Sequence, residues 1–170
     1  CCGLGQGTAT SGQGNLGSAG STNSSSYWVG GGGGGAGQVG QVSSSSTGGP
    51  GGAGLAISWI TSNAQSNLSV GQLVSTQTYF AGGGGGATDR STIAAGAGGS
   101  GGGGAGTNNA TAGTNGGANT GGGGGGSGIN GSGAPKGGDG GSGVVVIRYI
   151  WDVTAPNIST LSVTSASGSD

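Results

Sequence analysis

Reactive side chains are few in this chain. The only cysteines are Cys1 and Cys2, the acids are Asp89, Asp139, Asp152 and Asp170, the bases are Arg90, Lys136 and Arg148, and there is no His and no Glu. General acid–base catalysis, a nucleophilic triad and a zinc centre each need several such groups to converge, and these scattered residues supply no set for any of them. The chain therefore reads as non-enzymatic, with no catalytic, cofactor-binding or metal-ligating residue to nominate. Three basic residues give no electrostatic footprint for nucleic acid or anionic lipid. No apolar stretch approaches the length of a membrane span.

What chemistry remains is local. Adjacent Cα atoms lie about 3.8 Å apart, closer than the usual disulfide separation of about 4.4–6.8 Å, so a bridge between Cys1 and Cys2 would be strained. Three readings stay open for them: a cross-link to another chain, lipid attachment at a mature terminus, or a boundary without chemistry. Ala87-Thr88-Asp89-Arg90 is the one place where opposite charges adjoin. It reads as a solvated turn, since a single Asp does not build a calcium loop. Thr107, Asn108 and Asn109, the serine-rich stretch 43–47, and the stretch 129–136 with Asn130 and Lys136 are candidate outward loops for a cell-surface glycan or protein.

The elements that would position any of these residues are runs of glycine. The first is Gly30, Gly31, Gly32, Gly33, Gly34 and Gly35, behind Tyr27-Trp28-Val29. Behind Tyr79-Phe80-Ala81 comes the second, Gly82, Gly83, Gly84, Gly85 and Gly86. The third is Gly121, Gly122, Gly123, Gly124, Gly125 and Gly126. Glycine gains nothing from helix or ordinary strand packing and loses the most freedom on ordering. The ordered form left to it is the left-handed polyproline-II helix, three residues per turn, whose backbone groups find no partner within their own strand. A strand bare on all three edges can be surrounded by other backbones, which predicts a bundle joined by interstrand N–H···O=C bonds. A flexible linker is the competing reading, and the aromatic-then-glycine junctions and the scarcity of charge stand against it.

Composition narrows the architecture further. Glycine makes up 52 of 170 residues, yet there are only three prolines and no strict Gly-X-Y period, which excludes collagen. The expected fold is mainly irregular and β: a packed bundle of polyglycine-II helices closed by a small β-sheet. Residues 1–26 form an N-terminal Gly/Ser-rich segment suited to an inter-subunit contact, and 27–151 form the glycine-rich domain. Residues 27–29 and 55–60 read as strands, and 68–70 with 72–74 as a hairpin or sheet pair. The branched run 144–151 reads as a strand buried on both faces, pairing with 27–29 and 55–60 in one sheet.

These residues resemble the glycine-rich domain of phage tail-fibre proteins and large bacterial surface proteins. The likeness rests on the apolar strands entering glycine at 27–35 and 79–86, on Gly-Gly-Gly-Gly-Ala-Gly at 101–106, on Ala-Asn-Thr and glycines at 118–126, and on Gly-Gly-Ser-Gly-Val-Val-Val-Ile-Arg-Tyr at 140–149. Residues 152–170 resemble a linker and the opening strand of a bacterial immunoglobulin-like repeat. The resemblance implies display outside the cell, on a cell surface or a virion tail, and carries no catalytic residue. The expected function is a self-associating structural or adhesive module of a fibre or filament. A receptor-binding tip of a phage tail adhesin and an ice-binding protein are the alternatives.

Overall fold

The computed structural model describes residues 5–23, 27–129 and 135–149. Cys1, Cys2, Asn130 and the stretch 152–170, expected to open an immunoglobulin-like repeat, lie outside the described residues. Most of the described chain is irregular, with five short strands and one short helix: β1 Ser21–Asn23, β2 Tyr27–Val29, β3 Leu55–Ile57, α1 Ser62–Leu68, β4 Gln72–Val74 and β5 Gln77–Phe80. They form two separate antiparallel sheets. In one, β1 pairs with β2, Thr22 opposite Trp28; in the other the order is β3-β5-β4, with Thr78 opposite both Ile57 and Leu73.

Four expectations need correction. The strands at 27–29 and 55–57 do not share a sheet, because β2 takes β1 as its partner and β3 takes β5. Residues 55–60 are a strand only to Ile57, after which the chain turns so that Ile60 N–H donates to the Ile57 carbonyl. Leu68 ends a helix and is not part of a hairpin strand. Thr61 caps that helix with its side-chain oxygen on the Ala64 N–H, and Ser69 stops it in the left-handed region at φ 51°, two terminal devices that decide a helix too short to stand on propensity. The run 144–149 is no strand and no core element. Residues 144–148 make no backbone hydrogen bond to other described residues, and Val145 and Ile147 are 87% and 79% exposed. Branched residues favour a strand only where a sheet edge is offered to them, and the run joins neither sheet. Val144 and Val146 instead line a small apolar cavity of about 170 Å³ with Ile57, Trp59, Ile60 and Phe80.

Only Val29, Ile60, Val70 and Ile93 are buried apolar side chains among the described residues, too few for a conventional core. Cohesion comes from backbone. Segment 81–88 lies at the centre, and its bonds repeat every third residue. Gly82, Gly85 and Thr88 donate to the carbonyls of Gly101, Gly104 and Thr107; Gly83 and Gly86 donate to Gly52 and Gly49. Its carbonyls accept in the same rhythm, Ala81, Gly84 and Ala87 from Ala36, Gly33 and Gly30, Gly82 and Gly85 from Gly123 and Gly126, and Gly83 and Gly86 from Gly99 and Gly96. Threonines seat its ends: the buried Thr88 hydroxyl donates to the Ile93 carbonyl at 3.0 Å, and the buried Thr120 hydroxyl accepts from Gly122 N–H at 3.0 Å.

Glycine use follows distance from that centre. A Cβ on Gly83, Gly84, Gly85 or Gly86 would lie 2.0–2.1 Å from a neighbouring carbonyl oxygen, far inside contact. On edge segments only every third residue is so confined, as at Gly37 and Gly40, Gly113 and Gly116, and Gly138 and Gly141, where the nearest oxygen or nitrogen would be 2.0–2.4 Å away. Gly83→Ala, with its Cβ 2.1 Å from the Gly33 oxygen, is expected to lower stability by about 1–3 kcal/mol in urea unfolding. Gly143→Ala, with nothing within 4 Å, is expected to change it by less than about 0.5 kcal/mol.

Candidate functional site: an open groove along the central run

Five segments surround residues 81–88: 30–37, 49–54, 96–100, 101–107 and 120–126. Around the ring each is bonded to the next. Gly49 and Gly52 donate to Gly30 and Gly33, Gly51 and Gly54 to Ala97 and Ser100, Gly103 and Gly106 to Gly99 and Gly96, and Gly104 and Thr107 to Gly123 and Gly126. Among the described residues the ring does not close. No hydrogen bond joins 120–126 to 30–37 among the described residues, and the side of the central run between them lies open as a groove.

The floor of the groove carries unmet donors. Along 81–88 the N–H groups of Gly84 and Ala87 alone lack a partner among the described residues. They sit one three-residue repeat apart, so both aim the same way. A Cβ on Gly33 or on Gly123 would each lie 3.3 Å from the Gly84 nitrogen, and one on Gly30 or Gly126 would lie 3.0 or 3.1 Å from the Ala87 nitrogen. The two walls thus flank the two donors symmetrically. Buried amides are almost always satisfied, which makes these half-enclosed ones the exception to explain.

Among the described residues the wall carbonyls of Gly31, Gly34 and Gly124 also accept nothing. On 30–36, the carbonyls of Gly30 and Gly33 serve 49–54 and those of Gly32 and Gly35 serve 15–18. The third direction of a three-residue repeat, that of Gly31 and Gly34, falls on the groove side. On 121–126, the carbonyls of Gly123 and Gly126 serve 104–107 and those of Gly122 and Gly125 serve 138–141, leaving that of Gly124 for the groove. A donor floor stands between two acceptor walls.

The ends differ. One widens into an open cavity of about 430 Å³ lined by Thr8, Gln13, Asn15, Ala36 and Gly121 among others. The other, about 200 Å³, is lined by Trp28, Asp89 and Ile129. There Asp89 Oδ2 accepts the Trp28 N–H at 3.0 Å, while Asp89 Oδ1 is buried without a hydrogen-bond partner. Arg90 lies 5.2 Å from the Tyr27 ring centroid, a cation–π distance, so the pair 89–90 is integrated into the structure where the sequence suggests a solvated turn.

The other sequence candidates fall elsewhere. The Thr107 hydroxyl donates to the Thr111 carbonyl at 2.6 Å and the Asn108 amide to the Ile93 carbonyl at 3.1 Å, so both hold the local chain in place. Asn109 is exposed at the turn with φ 51°. Lys136 forms an exposed pair with Asp139 at 2.6 Å. Ser44 binds back to Ser46 and Thr47 in its own turn. All three glycine runs meet at the groove, the second as its floor and the first and third as its walls.

Amide exchange of the dilute, unassociated chain tests the open side: Gly84 and Ala87 should exchange at least tenfold faster than Gly83, Gly85 and Gly86, which are bonded to neighbouring segments. Equal protection across 83–87 would mean that the groove is filled or closed in solution.

The family model described as a glycine-rich domain matches residues 1–150. No curated protein and no solved structure matches the chain.

Proposed function

Because the chain belongs to the glycine-rich domain family, we propose that it is a non-enzymatic structural or adhesive module, displayed outside the cell, whose glycine runs are polyglycine-II helices and whose surfaces associate with further copies. The observation that carries this reading is the central segment 81–88, bonded to five neighbours through backbone alone. The three-residue repeat of its donors and acceptors is the repeat of a polyproline-II-type helix. A spacer would not need five neighbours.

The chemistry suits display better than turnover. Each backbone bond contributes about 0.5–1.5 kcal/mol net, so a large cooperative set is required, and opening one segment deprives several others of partners. Such a body resists the local opening that proteases exploit. Edge segments with unmet backbone groups are templates for more of the same, as the edge of a sheet is, and this supports a self-associating subunit of a fibre.

Purified protein should therefore survive proteinase K through residues 30–128 long after an unfolded peptide of that composition is digested. It should also form dimers or longer species with rising concentration in sedimentation velocity. Digestion at the rate of a free peptide would remove the structural reading; a monomer at every concentration would remove the self-association.

A further inference from the structure

The groove has the shape and hydrogen-bond pattern of a missing lattice position. A guest strand lying in it would meet the floor between the two walls, the three about 60° apart around it. In a helix with three residues per turn, N–H and carbonyl directions alternate at that spacing. The guest would accept from Gly84 N–H and Ala87 N–H with one row of carbonyls, and its two flanking rows of N–H would donate to Gly31 and Gly34 on one side and Gly124 on the other.

The groove walls are barer than the fold demands. A Cβ on Gly30, Gly33, Gly123 or Gly126 meets its nearest neighbour at 3.0–3.3 Å, whereas one on the floor at Gly84 meets a backbone oxygen at 2.0 Å. Small shifts would admit alanine at the walls. Bare walls are required once a further backbone must lie against them.

The same chain presents a complementary edge. In segment 136–143, Gly138 and Gly141 donate inward to Gly125 and Gly122, and the carbonyls of Lys136 and Asp139 accept from Gly113 and Gly116. Its other edge carries Gly137, Gly140 and Gly143, all exposed. A Cβ on Gly137 or Gly140 would meet nothing closer than 3.6 or 3.7 Å, and one on Gly143 nothing within 4 Å. The monomer has no steric use for glycine there.

We propose that residues 136–143 of a second copy lie in the groove over residues 81–88, running antiparallel to them. Eight residues at about 3.1 Å each span roughly 25 Å, the same number as in the floor. Antiparallel neighbours are already accepted by that floor, since Gly30 and Gly33 bond to Ala87 and Gly84. This direction brings the guest's Lys136 to the groove end that holds Asp89 Oδ1, the buried carboxylate oxygen without a hydrogen-bond partner. Lys136 is free to change partners because its own pair with Asp139 is exposed, with side chains 76% and 63% accessible, and such pairs hold weakly. The contact is heterologous, edge to groove, so in a pair one copy keeps a free edge and the other a free groove, and further copies add end to end into a filament where the rotation does not close a ring. The proposal rests on the self-association reading and assigns its surfaces.

The test uses the full chain in sedimentation velocity, with two variants that act on opposite surfaces. Gly140→Val should leave the monomer folded and weaken association at least tenfold by spoiling the guest edge, and Gly123→Val should do the same by filling the groove. Mixed together, the two variants should form a one-to-one dimer and nothing longer, because one keeps an intact groove and the other an intact edge. Lys136→Gln should weaken association of the full chain and reduce its sensitivity to salt. A synthetic peptide of residues 136–143 should compete with wild-type association, which keeps the test valid even if Gly123→Val does not fold. Association unchanged in both glycine variants would overturn the edge-to-groove contact while leaving self-association standing. A wild-type monomer at all concentrations would overturn both. Peptide binding to a chain that stays monomeric would overturn the second-copy assignment and give the groove to a glycine-rich segment of another protein.

Discussion

The structure depends on one constraint: every amide and carbonyl removed from water must find a partner, and there is almost no hydrocarbon to offset a failure. An unmet buried backbone group costs about 1–3 kcal/mol, and a few buried apolar residues, Val29, Ile60, Val70 and Ile93, cannot absorb many such losses. The chain meets the constraint by removing side chains where segments touch. Neighbouring backbones then approach closely enough that the carbonyls of 81–87 all accept a bond. The few side chains that enter do so as substitutes for backbone, as Gln72 does when its Oε1 accepts from Gly101 and Gly102 N–H at 2.7 and 3.0 Å.

Much of the architecture follows from glycine placement and was legible there. A run such as 82–86, bare on every edge, has to be surrounded by other backbones if it is ordered at all, and it is. The finer rule, glycine at every third residue on outer segments, is also written in the chain, at Gly14, Gly17 and Gly20 and at Gly37 and Gly40, and was hidden because the period breaks between segments. What could not be read is which run lies at the centre, since the first and third are as rich in glycine as the second. The groove was illegible for the same reason, because it is defined by the neighbour that is missing.

Side-chain patterns misled where they spoke most clearly. Val144 to Tyr149 has the composition of a buried strand, yet burial belongs to a strand only through a partner, and this run joins neither sheet. Ser62–Leu68 has the composition of a turn, yet the Thr61 oxygen and the left-handed Ser69 close both ends of a helix over it. Asp89 looks like one charge in a solvated pair, and its placement at the end of the groove depends on the Val29–Thr88 bridge that joins segments distant in sequence. In each case the decisive partner is remote, and local propensity is a weak guide to it.

A body held together by buried amides should also respond to temperature unlike one held by oil. Exposure of apolar area on unfolding raises heat capacity by about 0.45 cal/K/mol/Å², while exposure of polar area lowers it by about 0.26. Unfolding the ring around residues 81–88 uncovers chiefly peptide groups, so the polar contribution offsets more of the apolar one than in a hydrocarbon core. The free-energy curve is then broad and shallow, without the steep fall on cooling that accompanies a large hydrocarbon core. Enclosing the central run in backbone thus sets the thermal character of the whole molecule: cohesion that varies little between a cold environment and a warm one.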